Sequence, residues 1–280
     1  MIATLPVLTP IDPVSIVSNA QWIELVGIAA IGLGAGVMGG LVGIGGSLVM
    51  IPALTFVYGR DQSLYQAAAM IVNAVVAATA TRRHLKAGAV RRDLVIGLLP
   101  GAVLLVGVGV WLSSVVEERW LAVVFGVFML YIALQEGWSL LRRPHEDHAE
   151  PRTGRGTMFA IGGVTGIVSG LLGIGGGGVA VPMLRGLCHL PIRTAIAASS
   201  AVMLATAAVG SILKNLSYAT SAAEPSRALA ASLILAALLV PTGMIGAWIG
   251  ASLTHRLPIK AVRLAFILLM LAGGLRMMLG

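Results

Sequence analysis

The chain has 280 residues, of which 58% are hydrophobic and 11% charged, and its mean hydropathy is +0.95. Soluble domains carry about 25% charged residues, so this composition excludes an ordinary soluble domain and predicts an all-α, polytopic membrane protein. The formal net charge of +8 lies mostly in short loops between apolar runs, which indicates membrane orientation rather than a nucleic acid partner.

The first uncharged run extends from Leu25 to Gly59, about 35 residues, which is more than the roughly 20 that one membrane span needs. A glycine cluster at Gly43–Ser47 divides this run. The division predicts a broken helical hairpin whose two ends lie on the same side of the membrane, and the hairpin either crosses twice or is re-entrant. Three single spans follow, namely Gln62–Thr81, Leu94–Val116 and Trp120–Leu141.

The second half repeats this plan after a charged linker at 142–155. The run Gly156–Leu184 is again an uncharged hairpin, and the cluster Gly173–Gly178 divides it. Lys214 is expected in a loop on the outer side of the membrane, directly after the first of the remaining spans. These spans are Thr194–Leu213, Ala228–Thr254 and Leu264–Leu279.

The two glycine clusters belong to one motif that occurs twice without a gap, at Gly40–Pro52 and Gly170–Pro182, about 130 residues apart. A repeat of that length indicates a duplicated domain rather than a solenoid unit. The predicted divisions are a first membrane repeat at 1–141, including an extracytoplasmic N-terminus at 1–20, a cytoplasmic linker at 142–155, and a second membrane repeat at 156–280.

The distribution of basic residues predicts the orientation in the membrane. Fourteen of the 19 Lys and Arg residues fall in four loops on one side, and the positive-inside rule makes that side cytoplasmic. Both termini are then outside, in a multi-pass protein of the cell inner (plasma) membrane. Because each repeat has about five helical segments, an odd number, the two repeats are predicted to have inverted topology, as in alternating-access carriers.

The broken hairpins are the candidate binding site. Glycine breaks expose peptide N–H groups, and the helices that begin after them carry partial positive charge at their N-termini. Because neither uncharged run contains Asp or Glu, the expected ligand is a small oxyanion. The candidate substrate-binding residues are Gly43, Ile44, Gly45, Gly46, Ser47, Asn73, Gly173, Gly175, Gly176, Gly177, Gly178, Ser199 and Ser200.

Pro52 and Pro182 occupy equivalent positions in the two motifs and are predicted to act as hinges. No catalytic residue, cofactor or metal ion is expected, since the imidazoles lie in loops and the spans contain no nucleophile with an adjacent base. His84 is interpreted as a solvated member of the basic loop at 82–92. The expected partners are a small anionic substrate, the lipid bilayer and a coupling ion, either H⁺ or Na⁺; the oligomeric state stays open.

At these residues the chain resembles the TauE/SafE sulfite exporter family, also called the toluene-sulfonate uptake permease family. The resemblance is carried by the twin Gly-x-x-Gly-Ile-Gly-Gly-(Gly/Ser)-x-x-x-x-Pro motif, by the Ala-rich helix after each hairpin and by the loop Lys86–Val90. It covers nearly the whole chain apart from 1–20 and the linker. The resemblance implies a secondary transporter that moves sulfite, sulfoacetate or a related organosulfonate across the inner membrane.

Two alternatives stay open at this point. An anion channel would use the same twin breaks as its selectivity filter. Glycines with Gly-x-x-x-Gly spacing outside the two clusters also favour close packing between membrane helices, independently of any substrate.

Overall fold

The computed structural model describes residues 12–14, 22–42, 45–59, 61–141, 153–253 and 259–279. Gly43, Ile44 and most of the predicted linker lie outside these residues. Within the described ranges the chain is helical and contains no strand. The helices are α1 (Trp22–Val42), α2 (Ser47–Tyr58), α3 (Gln62–Lys86), α4 (Arg92–Val115), α5 (Glu118–Leu141), α6 (Arg155–Leu172), α7 (Gly177–Gly186), α8 (Ile192–Ser221), α9 (Pro225–Leu253) and α10 (Ile259–Leu279).

Seven of these helices, α1, α3, α4, α5, α6, α8 and α9, are long and apolar enough to cross a membrane. Their outer surfaces carry large apolar side chains, such as Leu104 and Trp111 of α4, which are 67% and 62% exposed. Such surfaces would promote aggregation in water, whereas in a bilayer they face lipid. The predicted all-α, polytopic class is therefore confirmed.

The first hairpin has one long arm and one short arm. The returning helix α2 has 12 residues, about 18 Å of length against a hydrocarbon thickness of about 30 Å. The hydroxyl of Tyr58, at the end of α2, donates a hydrogen bond to the carbonyl of Glu24, at the start of α1, over 3.1 Å. In the second hairpin α7 is shorter still, with 10 residues, so the returning arm of each hairpin is too short to cross the membrane by itself.

The long arm of each hairpin packs along a span from the other half of the chain. The carbonyl oxygen of Gly243 on α9 lies 2.3 Å from the point where a Cβ on Gly36 of α1 would stand. The carbonyl oxygen of Ala102 on α4 lies equally close, 2.3 Å, to the corresponding point on Gly166 of α6. Only glycine allows backbones to approach in this way. The predicted packing role is confirmed for Gly36, Gly162, Gly166, Gly170, Gly246 and Gly250, each of which faces backbone atoms of a neighbouring helix.

The helices α3 and α8 run antiparallel through the centre of the protein. The side-chain amide of Asn215 on α8 donates a hydrogen bond to the carbonyl of Ala67 on α3, over 3.3 Å. Further along the pair, Met70 of α3 packs against Gly210 of α8. Because α3 is buried at intervals from Gln62 to Thr81, several of its polar side chains, among them Gln66 and Asn73, lie inside the protein.

Several predicted loop boundaries are wrong; α10, for example, begins at Ile259 rather than at Leu264. The helix α8 continues through Lys214 to Ser221, and Lys214 is only 3% exposed. Its ammonium group donates a hydrogen bond to the hydroxyl of Ser113 on α4, over 2.6 Å, which partly replaces the lost hydration of the charge. The helix α3 likewise continues to Lys86, because basic side chains stabilise the negative end of a helix dipole and need not end the helix.

Candidate functional site

The first glycine break joins α1 to α2. Gly45 has a φ of +97°, a backbone conformation that side chains with a Cβ rarely adopt. Gly46 caps α2, and its carbonyl accepts hydrogen bonds from the amides of Val49 and Met50. The hydroxyl of Ser47, the first residue of α2, is buried and has no hydrogen-bond partner among the described residues. The first break therefore combines a helix N-terminus with an unused hydroxyl.

The second break joins α6 to α7 and has three glycines with positive φ, at Gly173 (+72°), Gly175 (+73°) and Gly176 (+84°). Any other residue would be strained at these points, which explains the glycine run. The helix α7 begins at Gly177, and both Gly177 and Gly178 are buried. The first two residues of α7 therefore present only backbone atoms to the interior of the protein.

The two breaks approach each other on either side of Asn73 and Met203. The amide nitrogen of Asn73 donates a hydrogen bond to the carbonyl of Gly173, over 3.1 Å. A Cβ on Gly45 would lie 3.9 Å from the amide oxygen of Asn73 and 3.3 Å from the terminal methyl of Met203. A Cβ on Gly175 would lie 2.9 Å from the same methyl. The carboxamide of Asn73 and the thioether of Met203 thus lie between the two breaks.

Thr206 is a site residue that the sequence analysis missed. Its hydroxyl donates to the carbonyl of Gly175 over 3.1 Å and also lies 3.1 Å from the carbonyl of Val202 on its own helix. The signal that could have found it is its spacing, because Thr206 follows Ser199 by two helical turns on the same face of α8. Thr206 fixes the second break against α8, as Asn73 fixes it against α3.

A cavity of about 500 Å³ lies against the first break. It extends along α3 from Val72 and Asn73 to Arg83 and His84, at the C-terminal end of that helix. Its other walls come from α1, from the N-terminal part of α8 and from α9. Of the predicted site residues it includes Gly45, Gly46, Asn73 and Ser200.

The remaining predicted residues within the described ranges do not line this cavity, and Gly43 and Ile44 lie outside those ranges. The second break, from Gly173 to Gly178, lies behind Asn73, and Ser47 is buried at the start of α2. Ser199 is 3% exposed inside the α8 packing. Ser200 does reach the cavity, but its hydroxyl donates to the carbonyl of Ile196 on its own helix, over 2.8 Å. The cavity is therefore asymmetric. The first break lies at its end, and the second break lies outside it.

The charges around the cavity favour an anion. Its titratable lining residues within the described chain are Arg83 and His84, and none of the lining residues is Asp or Glu. The sequence analysis had placed both side chains in a solvated loop. Since the other lining residues are uncharged, the positive side chain of Arg83 raises the local concentration of anions.

Each predicted hinge proline lies inside a helix. Pro52 and Pro182 are the sixth residues of α2 and α7 respectively, and each helix continues past its proline. Proline lacks the N–H that would bond one turn back, so both short helices have one fewer internal hydrogen bond at the same position. A hinge role for these prolines stays a prediction.

The sequence is similar to those of known proteins over most of its length. The sequence model of the family described as "Sulfite exporter TauE/SafE" matches residues 28–277. Relatives named "Probable membrane transporter protein MamO" from Paramagnetospirillum magneticum and Magnetospirillum gryphiswaldense are 24% and 25% identical over 91% of this chain. The chain spans less than half of their length, 44% and 45%.

A relative of more similar length is the "Probable membrane transporter protein YunE" of Bacillus subtilis, which is 26% identical over 84% of this chain and 90% of its own. No solved structure matches the chain significantly.

Proposed function

Because this chain belongs to the TauE/SafE sulfite exporter family, we propose that it is a secondary transporter of a small sulfur-containing anion, either sulfite, sulfoacetate or a related organosulfonate. The anion crosses the inner membrane by alternating access and is held where the two glycine breaks meet. The observation that carries this proposal is the convergence of both breaks on Asn73, at the end of a cavity without lining carboxylates.

The chemistry of the site suits an oxyanion. The N-termini of α2 and α7 supply backbone N–H donors and partial positive charge, and the Ser47 hydroxyl has no other partner among the described residues. These donors are neutral, so they bind an anion without the tight ion pair that would slow its release. Arg83 attracts the anion toward its end of the cavity.

The orientation follows from the basic residues. The cavity extends along α3 to Arg83, at the end of the helix that the positive-inside rule makes cytoplasmic. With this orientation the cavity faces the cytoplasm and both termini lie outside. Inverted repeats, with Pro52 and Pro182 as hinges, would let the protein close this side and open the other, driven by coupling to H⁺ or Na⁺ or by the gradient of the anion itself.

The proposal is tested by the flux of radiolabelled sulfite and organosulfonates in proteoliposomes that contain the purified protein. A carrier gives saturable flux that is accelerated by unlabelled anion on the opposite side. A channel gives flux that follows the electrochemical gradient and shows no such exchange. No flux of any sulfur anion, from protein that is folded in the liposomes, would contradict the substrate assignment.

A further inference from the structure

Gln66 lies on the same face of α3 as Asn73, seven residues earlier, and Gln62 lies one further turn away. The cavity follows this face from Asn73 toward Arg83. It does not follow the face in the other direction, where the two glutamines lie. The cavity therefore borders this face of α3 on the Arg83 side of the glycine breaks but not on the Gln62 side.

Both glutamines are buried with their amide groups unused. Gln66 is 0% exposed and Gln62 is 1% exposed. Neither the nitrogen nor the oxygen of either side chain has a hydrogen-bond partner among the described residues. An unpaired buried amide destabilises a folded protein, so two of them one turn apart require an explanation.

Gln66 also touches the second break directly. A Cβ on Gly173 would stand 2.8 Å from the Cβ of Gln66 and 3.0 Å from its Cγ. The carbonyl of this same glycine accepts the hydrogen bond from Asn73. Movement of the second break would therefore change the surroundings of Gln66 and Asn73 together.

We propose that the Gln62–Gln66 face of α3 is the closed half of the anion path, and that both carboxamides donate hydrogen bonds to the anion when this half opens. The inference rests on the proposed transport function. It explains why the Gln66 amide has no hydrogen-bond partner among the described residues in the present state. An amide that binds the anion in the open state is left unpaired when this half of the path is closed.

Thiol accessibility tests the path without depending on the substrate. Cys188 is the single cysteine and is buried, so Cys188→Ser supplies the background. Gln66→Cys, Ala80→Cys and Ala68→Cys are each treated with a membrane-impermeant thiol reagent from either side of oriented proteoliposomes. Ala80 lines the cavity. Ala68 is as buried as Gln66 but lies on the opposite face of α3, within the apolar core.

We expect the thiol at position 80 to react from the side of Arg83, the thiol at position 66 to react from the other side, and the thiol at position 68 to react from neither. The inference is overturned if the thiol at position 66 is unreactive from both sides in protein that still transports, or if it reacts only from the side that labels position 80.

A second variant separates transport from folding. Gln66→Met keeps the length of the side chain and removes the unpaired amide, so we expect a higher unfolding temperature together with a loss of about tenfold or more in kcat/KM for sulfite, the effect of losing a hydrogen bond to a charged group. Unchanged flux in a stabilised Gln66→Met protein overturns the inference while the proposed function stands. If wild-type protein moves no sulfur anion but position 66 is labelled as expected, the substrate assignment fails while the path is supported.

Discussion

The amide nitrogen of Asn73 lies 3.1 Å from the carbonyl oxygen of Gly173, a residue 100 positions later in the chain, and donates a hydrogen bond to it. The same side chain borders Gly45 of the first break and lines the cavity. Asn73 is thus the point where the two hairpins and the cavity meet, and its replacement tests both the packing and the binding site.

Replacement of Asn73 by Asp should lower the affinity for the anion more than replacement by Ser. Aspartate has nearly the same shape, but it loses the N–H donor and brings a negative charge toward the Gly173 carbonyl and the anion. We expect Asn73→Asp to weaken sulfite binding by about 2 kcal/mol or more, roughly thirtyfold. Equilibrium binding of labelled sulfite to purified protein measures this, and equal affinities for the Asp and Ser variants would exclude a direct contact with the anion.

Gly175→Ala should destabilise the second break, whereas Gly186→Ala should have little effect. Gly175 has a φ of +73°, and a Cβ there would lie 2.9 Å from the methyl of Met203. Gly186, at the end of α7, has nothing within 4 Å of a Cβ. We expect a loss of about 1–3 kcal/mol for the first variant, from strain and overpacking, as a lower unfolding temperature in detergent. Equal temperatures for the two variants would show that the break is not rigid.

Gly166→Ala should separate α6 from α4, and Gly34→Ala serves as its matched control. A methyl group on Gly166 would lie 2.3 Å from the carbonyl oxygen of Ala102, whereas Gly34, also inside a helix, meets nothing within 4 Å. The first variant should lose about 1–3 kcal/mol. The second should gain up to about 1 kcal/mol, since alanine is the better helix former. Thermal unfolding of both variants checks the prediction, and a stable Gly166→Ala protein would contradict the close approach.

Ser113 should matter for stability only while Lys214 is present. The serine hydroxyl accepts the hydrogen bond of a buried ammonium group, so Ser113→Ala leaves a charge without that partner, at a cost of about 1–3 kcal/mol. Lys214→Met removes the buried charge and should be neutral or stabilising. In a double-mutant cycle Ser113→Ala should then cost little in the Lys214→Met background; an equal cost in both backgrounds would exclude the coupling.

Asp61 should make stability depend on pH. It caps α3 by accepting from the amide of Leu64 and also accepts from the hydroxyl of Tyr218. Burial, with a smaller contribution from the charge of Glu118, raises the pKa of Asp61 above its ordinary value. The folded state therefore binds the proton more tightly than the unfolded state, so the contribution of Asp61 to stability falls as pH rises through this raised pKa.

Asp61→Asn keeps a capping side chain and removes the charge. Its unfolding temperature relative to wild type should therefore increase as the pH rises from about 4, the ordinary pKa of an aspartate, through the raised pKa of Asp61. Asp61→Ala, which also loses the cap, should be less stable than Asp61→Asn by about 1 kcal/mol. A constant difference between wild type and Asp61→Asn across this range would contradict the raised pKa.

The helices and the buried position of Asn73 beside the glycine breaks could be predicted from local signals. Uncharged runs of sufficient length indicate spans, and an asparagine in an alanine-rich helix after a glycine break is an obvious polar exception. Lys214 and Arg83 were misplaced because a positive charge usually marks a loop. The hydroxyl of Ser113, more than a hundred residues away in the chain, makes Lys214 tolerable inside a span, and no local pattern reveals that pairing.

The shape of the cavity could not be predicted from the sequence either. One of its walls is the surface of α9 around Gly243 and Trp248, which reaches the site because α9 packs along α1. That contact depends on backbone approach between two distant segments. Gly-x-x-x-Gly spacing indicates that a helix packs closely, but it does not say against which partner.

The reciprocal packing of α1 on α9 and of α6 on α4 also determines when the protein can be completed during its synthesis. The helix α1 leaves the ribosome first, but the surface that its glycines fit begins about 200 residues later. The glycine face of α1 is therefore in contact with lipid or with the insertion machinery until α9 has entered the membrane. The first half alone lacks the partners of both α1 and α4, so a chain that stops at the linker cannot bury these two faces against the helices they fit.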